Sequence, residues 1–472
     1  MSYQFSPFSK STGTGKLRHS SGASLALFAG IFIACTFAVR GQDSIPEEPL
    51  PSSADTVVET DAAPSQPTAP LGGLGSGNLT LGGQTMSSSE VASGQPRRFH
   101  YRFGLTVRGV YDDNIFLTNT NKVDGWYFAI EPMLTIGFGD IEGQTENFLR
   151  LDYIPSIILY TSDHSDNGDS FRRGDADNAV SHLINIEGGH RFGRLSLTLS
   201  QQILILDGTN LNSTIDTTGL LANLDASQPT RLNLYTTRLR ANYDLTGKIF
   251  LTGEFDAAIY DYPDFFSNQT LSGGLYINYI VTPKVTLGVG GTFGAAWGDS
   301  NVDQTFEQAN VHINYQVTGK FGLSASGGVE FRQFDSDQGD YTTPVFELGA
   351  IYNPFDGTTI TLSAGRRILP SGFFENQDFG TTYVVGRVQQ RLFRRVHLGL
   401  AVGYENSNYL ATKDGVDATR EDDYYFIEPS IDVLINRWLS VGVYYLHRED
   451  FSNDDSFSFD DNQVGIRATV RF

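Results

Sequence analysis

The last ten residues alternate without a break. Val464, Ile466, Ala468, Val470 and Phe472 fall on one face of an extended strand. Gln463, Gly465, Arg467, Thr469 and Arg471 fall on the other, because strand side chains alternate with period two. One such segment says little, since any half-buried sheet alternates. From Phe99 onward, about eighteen segments repeat the pattern. Typical segments run ~10–15 residues, the length a tilted membrane strand needs with some overhang. Apart from one N-terminal stretch, no run of ~20 apolar residues could cross a bilayer as a helix. The expected fold is all-β: a transmembrane antiparallel up-and-down β-barrel of about 18 strands over residues 99–472.

The connections sharpen this expectation, because they alternate between short and long. The short set includes Arg191–Arg194, Thr246–Lys248, Thr282–Lys284, Thr318–Lys320, Phe393–Arg395 and Asn436–Arg437. These are tight and basic, and most carry Gly or Pro, as hairpin turns should. The long set includes Asp112–Gly125, Thr161–Asn178, Asp207–Thr230, Ile368–Gln377, Asn406–Asp422 and Arg448–Asp461, polar and mostly acidic. Short turns on one rim and long loops on the other mark an outer-membrane barrel. A soluble sandwich has no reason to segregate its loops this way. The basic turns then face the periplasm and the acidic loops the outside.

Alternation also assigns faces. In Val285–Trp297 the outward set is Val285, Leu287, Val289, Phe293, Ala295 and Trp297, and the inward set is almost all Gly and Thr. Charges elsewhere fall on the inward phase, since an outward Arg or Lys at mid-membrane costs roughly 2–4 kcal/mol. The pore-lining candidates are therefore Arg102, Arg108, Glu131, Arg150, Asp152, Glu187, Arg238, Arg240, Glu254, Asp256, His312, Glu330, Arg332, Arg387, Glu428 and Asp432. The lumen is expected to be polar and of mixed sign, with opposed charge ladders. Tyr111, Trp126, Tyr127, Phe128, Tyr160, Trp297, Tyr409, Tyr424, Tyr425 and Trp438 lie near strand ends, where aromatic girdles belong.

The N-terminal 98 residues read differently. Lys10, Lys16 and Arg18 precede the apolar stretch Ala23–Val39, so residues 1–41 read as a secretory signal peptide cleaved after Gly41. Cys35, the one cysteine, allows no internal disulfide; a lipoprotein-type reading of Ile33-Ala34-Cys35 is the minor alternative. Residues 42–98 are rich in Pro, Ser, Gly, Ala and Thr with almost no aromatics, and cannot bury enough apolar surface to offset ordering entropy. They read as a disordered periplasmic linker. The formal net charge of −21 argues against a nucleic-acid partner, which would demand basic patches.

Tyr111-Asp112-Asp113-Asn114-Ile115-Phe116, followed by Asp124-Gly125-Trp126 and Glu131-Pro132, resembles the outer-membrane family called beta-barrel porin 2. Leu151-Asp152-Tyr153-Ile154-Pro155, ending at Tyr160, fits the same pattern. The resemblance implies a transport role in the outer membrane of a Gram-negative-type bacterium. Some members are associated with exopolysaccharide systems, which implies polysaccharide as a further partner. The terminal Phe472 resembles the aromatic read by the barrel-assembly machinery, so that machinery, outer-membrane lipid and lipopolysaccharide are the other expected partners. Read from their chemistry, Asp112, Asp113 and Asn114 set an exit turn through Asx side chains, with ligand or cation binding as the alternative.

No enzyme signature is present. The eight histidines have no metal spacing, and neither HExxH nor a G-x-S-x-G elbow occurs. Asp335–Asp340 lacks the frame of a calcium loop, and the acidic cluster Asp163–Asp177 reads as solvated loop. No catalytic residue, cofactor or metal site is expected. The function read from sequence is a porin-like channel for small polar solutes or an exopolysaccharide-associated conduit. A structural or surface-interaction barrel with a plugged lumen is the alternative, and a barrel-embedded hydrolase the minor one.

Overall fold

The computed structural model describes residues 80–81, 84–85, 99–139, 141, 147–161, 178–207, 225 and 230–472. The signal-peptide expectation, most of the linker and the acidic cluster Asp163–Asp177 lie outside them. Two short strands, β1 (Thr80–Leu81) and β2 (Gln84–Thr85), pair with each other. Eighteen long strands follow: β3 (Phe99–Asp112), β4 (Gly125–Gly139), β5 (Phe148–Tyr160), β6 (Ala179–Phe192), β7 (Leu195–Leu206), β8 (Leu232–Asp244), β9 (Ile249–Asp261), β10 (Asn268–Thr282), β11 (Val285–Gly298), β12 (Gln304–Thr318), β13 (Phe321–Phe334), β14 (Tyr341–Tyr352), β15 (Thr358–Pro370), β16 (Gln377–Leu392), β17 (Val396–Ala411), β18 (Glu421–Leu434), β19 (Leu439–Ser452) and β20 (Phe459–Arg471). Each pairs antiparallel with its neighbours in the chain, and β20 closes onto β3, so the sheet has no edge. This is the expected eighteen-strand barrel.

Closure is made by ordinary ladder bonds. Gln463 lies opposite Asp112 and Arg471 opposite Gly104. Phe472 donates its N–H to the Phe103 carbonyl at 2.8 Å and stacks its ring on Phe103 at 6.1 Å between centroids. The outward face is apolar, as a lipid-facing surface requires: Leu275, Val289, Phe293, Val311, Ile431 and Ile466 are all exposed.

Three sequence expectations change. The strands run further into the long connections than expected, so β16 to β20 leave only residues 412–420 and 453–458 as loops where Asn406–Asp422 and Arg448–Asp461 were expected. Tyr127, Tyr160, Tyr409 and Tyr424 do not join the girdle. They sit on inward positions, where Tyr127 packs on Tyr160 at 5.5 Å. Proximity to a strand end decides depth in the membrane but not which face a residue takes. Finally, the inward surface is not uniformly polar. Ile154, Leu183, Leu204, Leu232, Leu234 and Tyr260 form one inward apolar cluster, and Tyr383, Val385, Tyr424, Phe426, Leu446 and Phe459 belong to another.

Candidate functional site

The inward wall is built from opposed pairs of large and absent side chains. Tyr276 on β10 faces Gly290 on β11, Phe426 on β18 faces Gly403 on β17, and Tyr444 on β19 faces Gly465 on β20. A Cβ at Gly403 would lie 2.0 Å from Phe426 Cε1, and one at Gly465 2.2 Å from Tyr444 Cε1. Each ring therefore lies flat on its neighbouring strand instead of standing into the lumen, which keeps the space above free for charged groups.

Those charges pair along the wall. Arg108 Nη2 meets Glu131 Oε1 at 2.6 Å, with both side chains almost wholly buried. Arg150 Nη2 donates to Asp152 Oδ1 at 3.1 Å. Arg238 donates to Asp256 at 2.6 Å and Arg240 Nη2 to Glu254 at 2.7 Å, each on the adjacent strand. Arg332 reaches Glu330 at 2.8 Å and Asp378 at 3.0 Å. Arg467 donates to Asp432 at 2.8 Å, passing over the intervening strand β19 at Gly442. His312 lies 2.6 Å from Asn278 Oδ1. In each of these ion pairs the two charges sit on one strand, on adjacent strands or across one intervening strand, except Arg332–Asp378, which crosses β14 and β15. Most of the expected opposed charges are therefore paired within the wall itself.

All sixteen candidates lie on the inward phase, but in two settings. Arg108, Glu131, Arg150, Asp152, Glu187, Glu330 and Arg332 are buried. Arg102, Arg238, Arg240, Glu254, Asp256, His312, Arg387, Glu428 and Asp432 are half-buried. The division follows the barrel. Along β20 and β3 to β6, inward residues are buried almost from rim to rim. Along β7 to β18 they are buried mainly toward the long-loop rim and half-exposed toward the short-turn rim.

At the long-loop rim the mouth is spanned by Asp225, from the connection between β7 and β8. Its carboxylate accepts hydrogen bonds from Gly372 N at 2.7 Å, Phe373 N at 3.1 Å, Ser371 Oγ at 3.0 Å and the Tyr409 hydroxyl at 2.7 Å. Its carbonyl accepts Arg420 Nη1 at 2.7 Å. Tyr409 lies on β17, nine strands from β8 in either direction around the barrel, so the contact joins opposite walls. Around it, Phe373 packs on Phe265 and Phe457, and Arg420 lies over the Phe457 ring at 3.7 Å. Burial, with Asp225 nearby, raises the Tyr262 hydroxyl well above the ordinary phenol range. Sequence reading placed Asp207–Thr230 and Ile368–Gln377 among the long polar connections but did not single out Asp225, Ser371 or Arg420. Their partners are far apart in sequence, and no local pattern marks them.

Residues 308–472, roughly a third of the chain, match the model of the family described as "Putative beta-barrel porin 2". The matched segment is the C-terminal one, whereas the motifs that carried the resemblance lie between Tyr111 and Tyr160. Among solved structures, OpdK of Pseudomonas aeruginosa with vanillate is similar at 14% identity and a TM-score of 0.40, covering 79% of this chain and 99% of that one. OccAB4 of Acinetobacter baumannii is similar at 11% identity and a TM-score of 0.41, covering 80% and 99%. No curated protein matches. A closed barrel with an apolar outer face and one rim of tight turns, matched over residues 308–472 by a porin family model, is an outer-membrane protein of the Gram-negative type.

Proposed function

We propose that this barrel is a porin-like channel for small polar solutes, with its outer mouth held shut by the Asp225 contact. The observation that carries the reading is the half-exposed, charge-lined inward surface along β7 to β18. Arg238, Arg240, Glu254, Asp256 and His312 line it. Eighteen strands enclose enough width for an aqueous path. Arg108, Glu131, Arg150 and Asp152 then brace the opposite wall and stay outside that path. The protein is not an enzyme in this reading. Export of a polysaccharide chain is the same reading with a larger cargo, and it needs the mouth to open further. Insertion through the C-terminal strand by the barrel-assembly machinery, and a lipopolysaccharide environment around the acidic loops, complete the picture.

The second reading is a structural barrel with a blocked lumen. It is favoured by the same mouth, where Gln377, Asp378, Thr381 and Tyr383 of β16 are buried near the long-loop rim and the cross-wall contact adds to them. Planar-bilayer recording separates the two. The channel reading expects low, intermittent conductance from the wild type and larger, steadier steps from Asp225→Ala, which loses four donors at once. If both proteins insert and neither conducts, the barrel is structural.

A further inference from the structure

Where the last strand closes on the first, three carboxylates converge at the long-loop rim. Asp112 ends β3, Asp113 follows it, and Asp461 lies on β20. One oxygen of each lies within 4.8 Å of the other two. Asp461 is wholly buried and Asp112 nearly so, while Asp113 is half-buried.

The hydrogen bonds do not satisfy this group. Asp112 accepts from Asn114 N at 2.8 Å and Gln463 Nε2 at 2.9 Å. Asp113 accepts from Asn462 N at 2.7 Å and Asn462 Nδ2 at 2.8 Å. Asp461 Oδ2 accepts from Arg448 Nε at 2.6 Å and Gln463 Nε2 at 3.2 Å. Asp461 Oδ1 is buried and accepts no hydrogen bond among the described residues. Arg448 balances one carboxylate, so three acids in one place keep an excess of negative charge. A buried carboxylate oxygen with no donor, in a group with one counter-charge for three acids, is costly to hold.

Two arrangements would relieve it: a proton shared between Asp112 and Asp461, or a bound cation. We propose the second, a calcium-type divalent ion held by Asp112, Asp113 and Asp461. A shared proton engages only Asp112 and Asp461, whereas a cation uses all three carboxylates. The donors are all oxygen, which selects hard cations over zinc or copper. Calcium–oxygen bonds of ~2.3–2.6 Å let ligand oxygens sit up to about 5 Å apart, the span found here. Two consecutive aspartates where a strand breaks into a turn make an irregular set, which calcium accepts more readily than octahedral magnesium. The half-buried Asp113 provides the route in. The ion ties the first strand to the last beyond Gln463–Asp112, the outermost rung of the closing ladder, and so locks the seam where the barrel closes.

The test uses full-length protein in detergent, stripped with EDTA and titrated with calcium chloride by calorimetry. Wild type should show one saturable site that is at least tenfold weaker in Asp461→Asn and in Asp113→Asn. The temperature at which the folded gel band converts to the unfolded one should rise with calcium in wild type alone. Asp113→Asn keeps the buried pair intact and carries the test if Asp461→Asn does not fold. Calcium titrations that superimpose for wild type and Asp113→Asn would overturn the site. So would a conversion temperature that follows pH and ignores calcium, the behaviour of a shared proton.

Discussion

At the scale of single residues, the arginines divide by the cost of disturbing them. Arg108 and Glu131 are both about 1% exposed, and breaking a buried pair of this kind costs about 3–5 kcal/mol because one charge is left stranded. Arg238 and Asp256 are each about a third exposed, so lumen water can solvate either one alone. Like charges placed opposite each other on neighbouring strands cost only ~0.2–1 kcal/mol per pair. Arg238 can therefore be reversed without losing the barrel; Arg240 and Glu254 are only 11% and 19% exposed, so reversing Arg240 costs more. Replacing both by Glu puts four acids where two ion pairs stood and should shift ion selectivity toward cations, read as the reversal potential under a salt gradient. An unchanged potential in an open channel would remove these residues from the conduction path.

At the scale of the strand, the unit is the aromatic ring laid over a glycine on its neighbour. This gives a use to part of the chain's 50 glycines that turn chemistry does not. Phe426 is buried among Tyr383, Val385, Tyr424 and Leu446, so it has nowhere to move if Gly403 gains a side chain. Gly403→Val should lower stability by about 1–3 kcal/mol, the usual cost of overpacking, in urea unfolding of the folded barrel. Gly386→Ala is the control, because its Cβ would meet only Val402 Cγ2 at 3.6 Å. Equal stability of the two variants would show that the ring can swing into the lumen at no cost.

At the scale of the whole molecule, stability depends on closing the sheet, and the final residue takes part. Phe472 is 75% exposed yet bonds Phe103 through its backbone and stacks on its ring. The stacking itself is worth only about 0.5–1.5 kcal/mol. Deleting Phe472 should therefore slow assembly more than it weakens the assembled barrel. Pulse labelling should show less heat-modifiable protein in the outer-membrane fraction, while the protein that does fold melts close to wild type. Normal assembly rate and yield in the truncated protein would remove the C-terminus from recognition.

Period-two alternation determined the strands, their number and the face of every charged candidate, because a lipid solvent punishes an outward charge wherever it falls along a strand. Loop length determined which rim is which, because tight turns need local chemistry that is written in consecutive residues. Only the closed barrel decided the rest. Asp225 and Tyr409 are 184 positions apart, and Asp112 and Gln463 are 351. The division of the lumen into a packed wall and a wet wall, the contact across the mouth and the meeting of Asp112, Asp113 and Asp461 come from joining strands distant in sequence. Alternation says that a side chain points inward; which side chain it meets there is settled by barrel closure, register and the paths of the long connections.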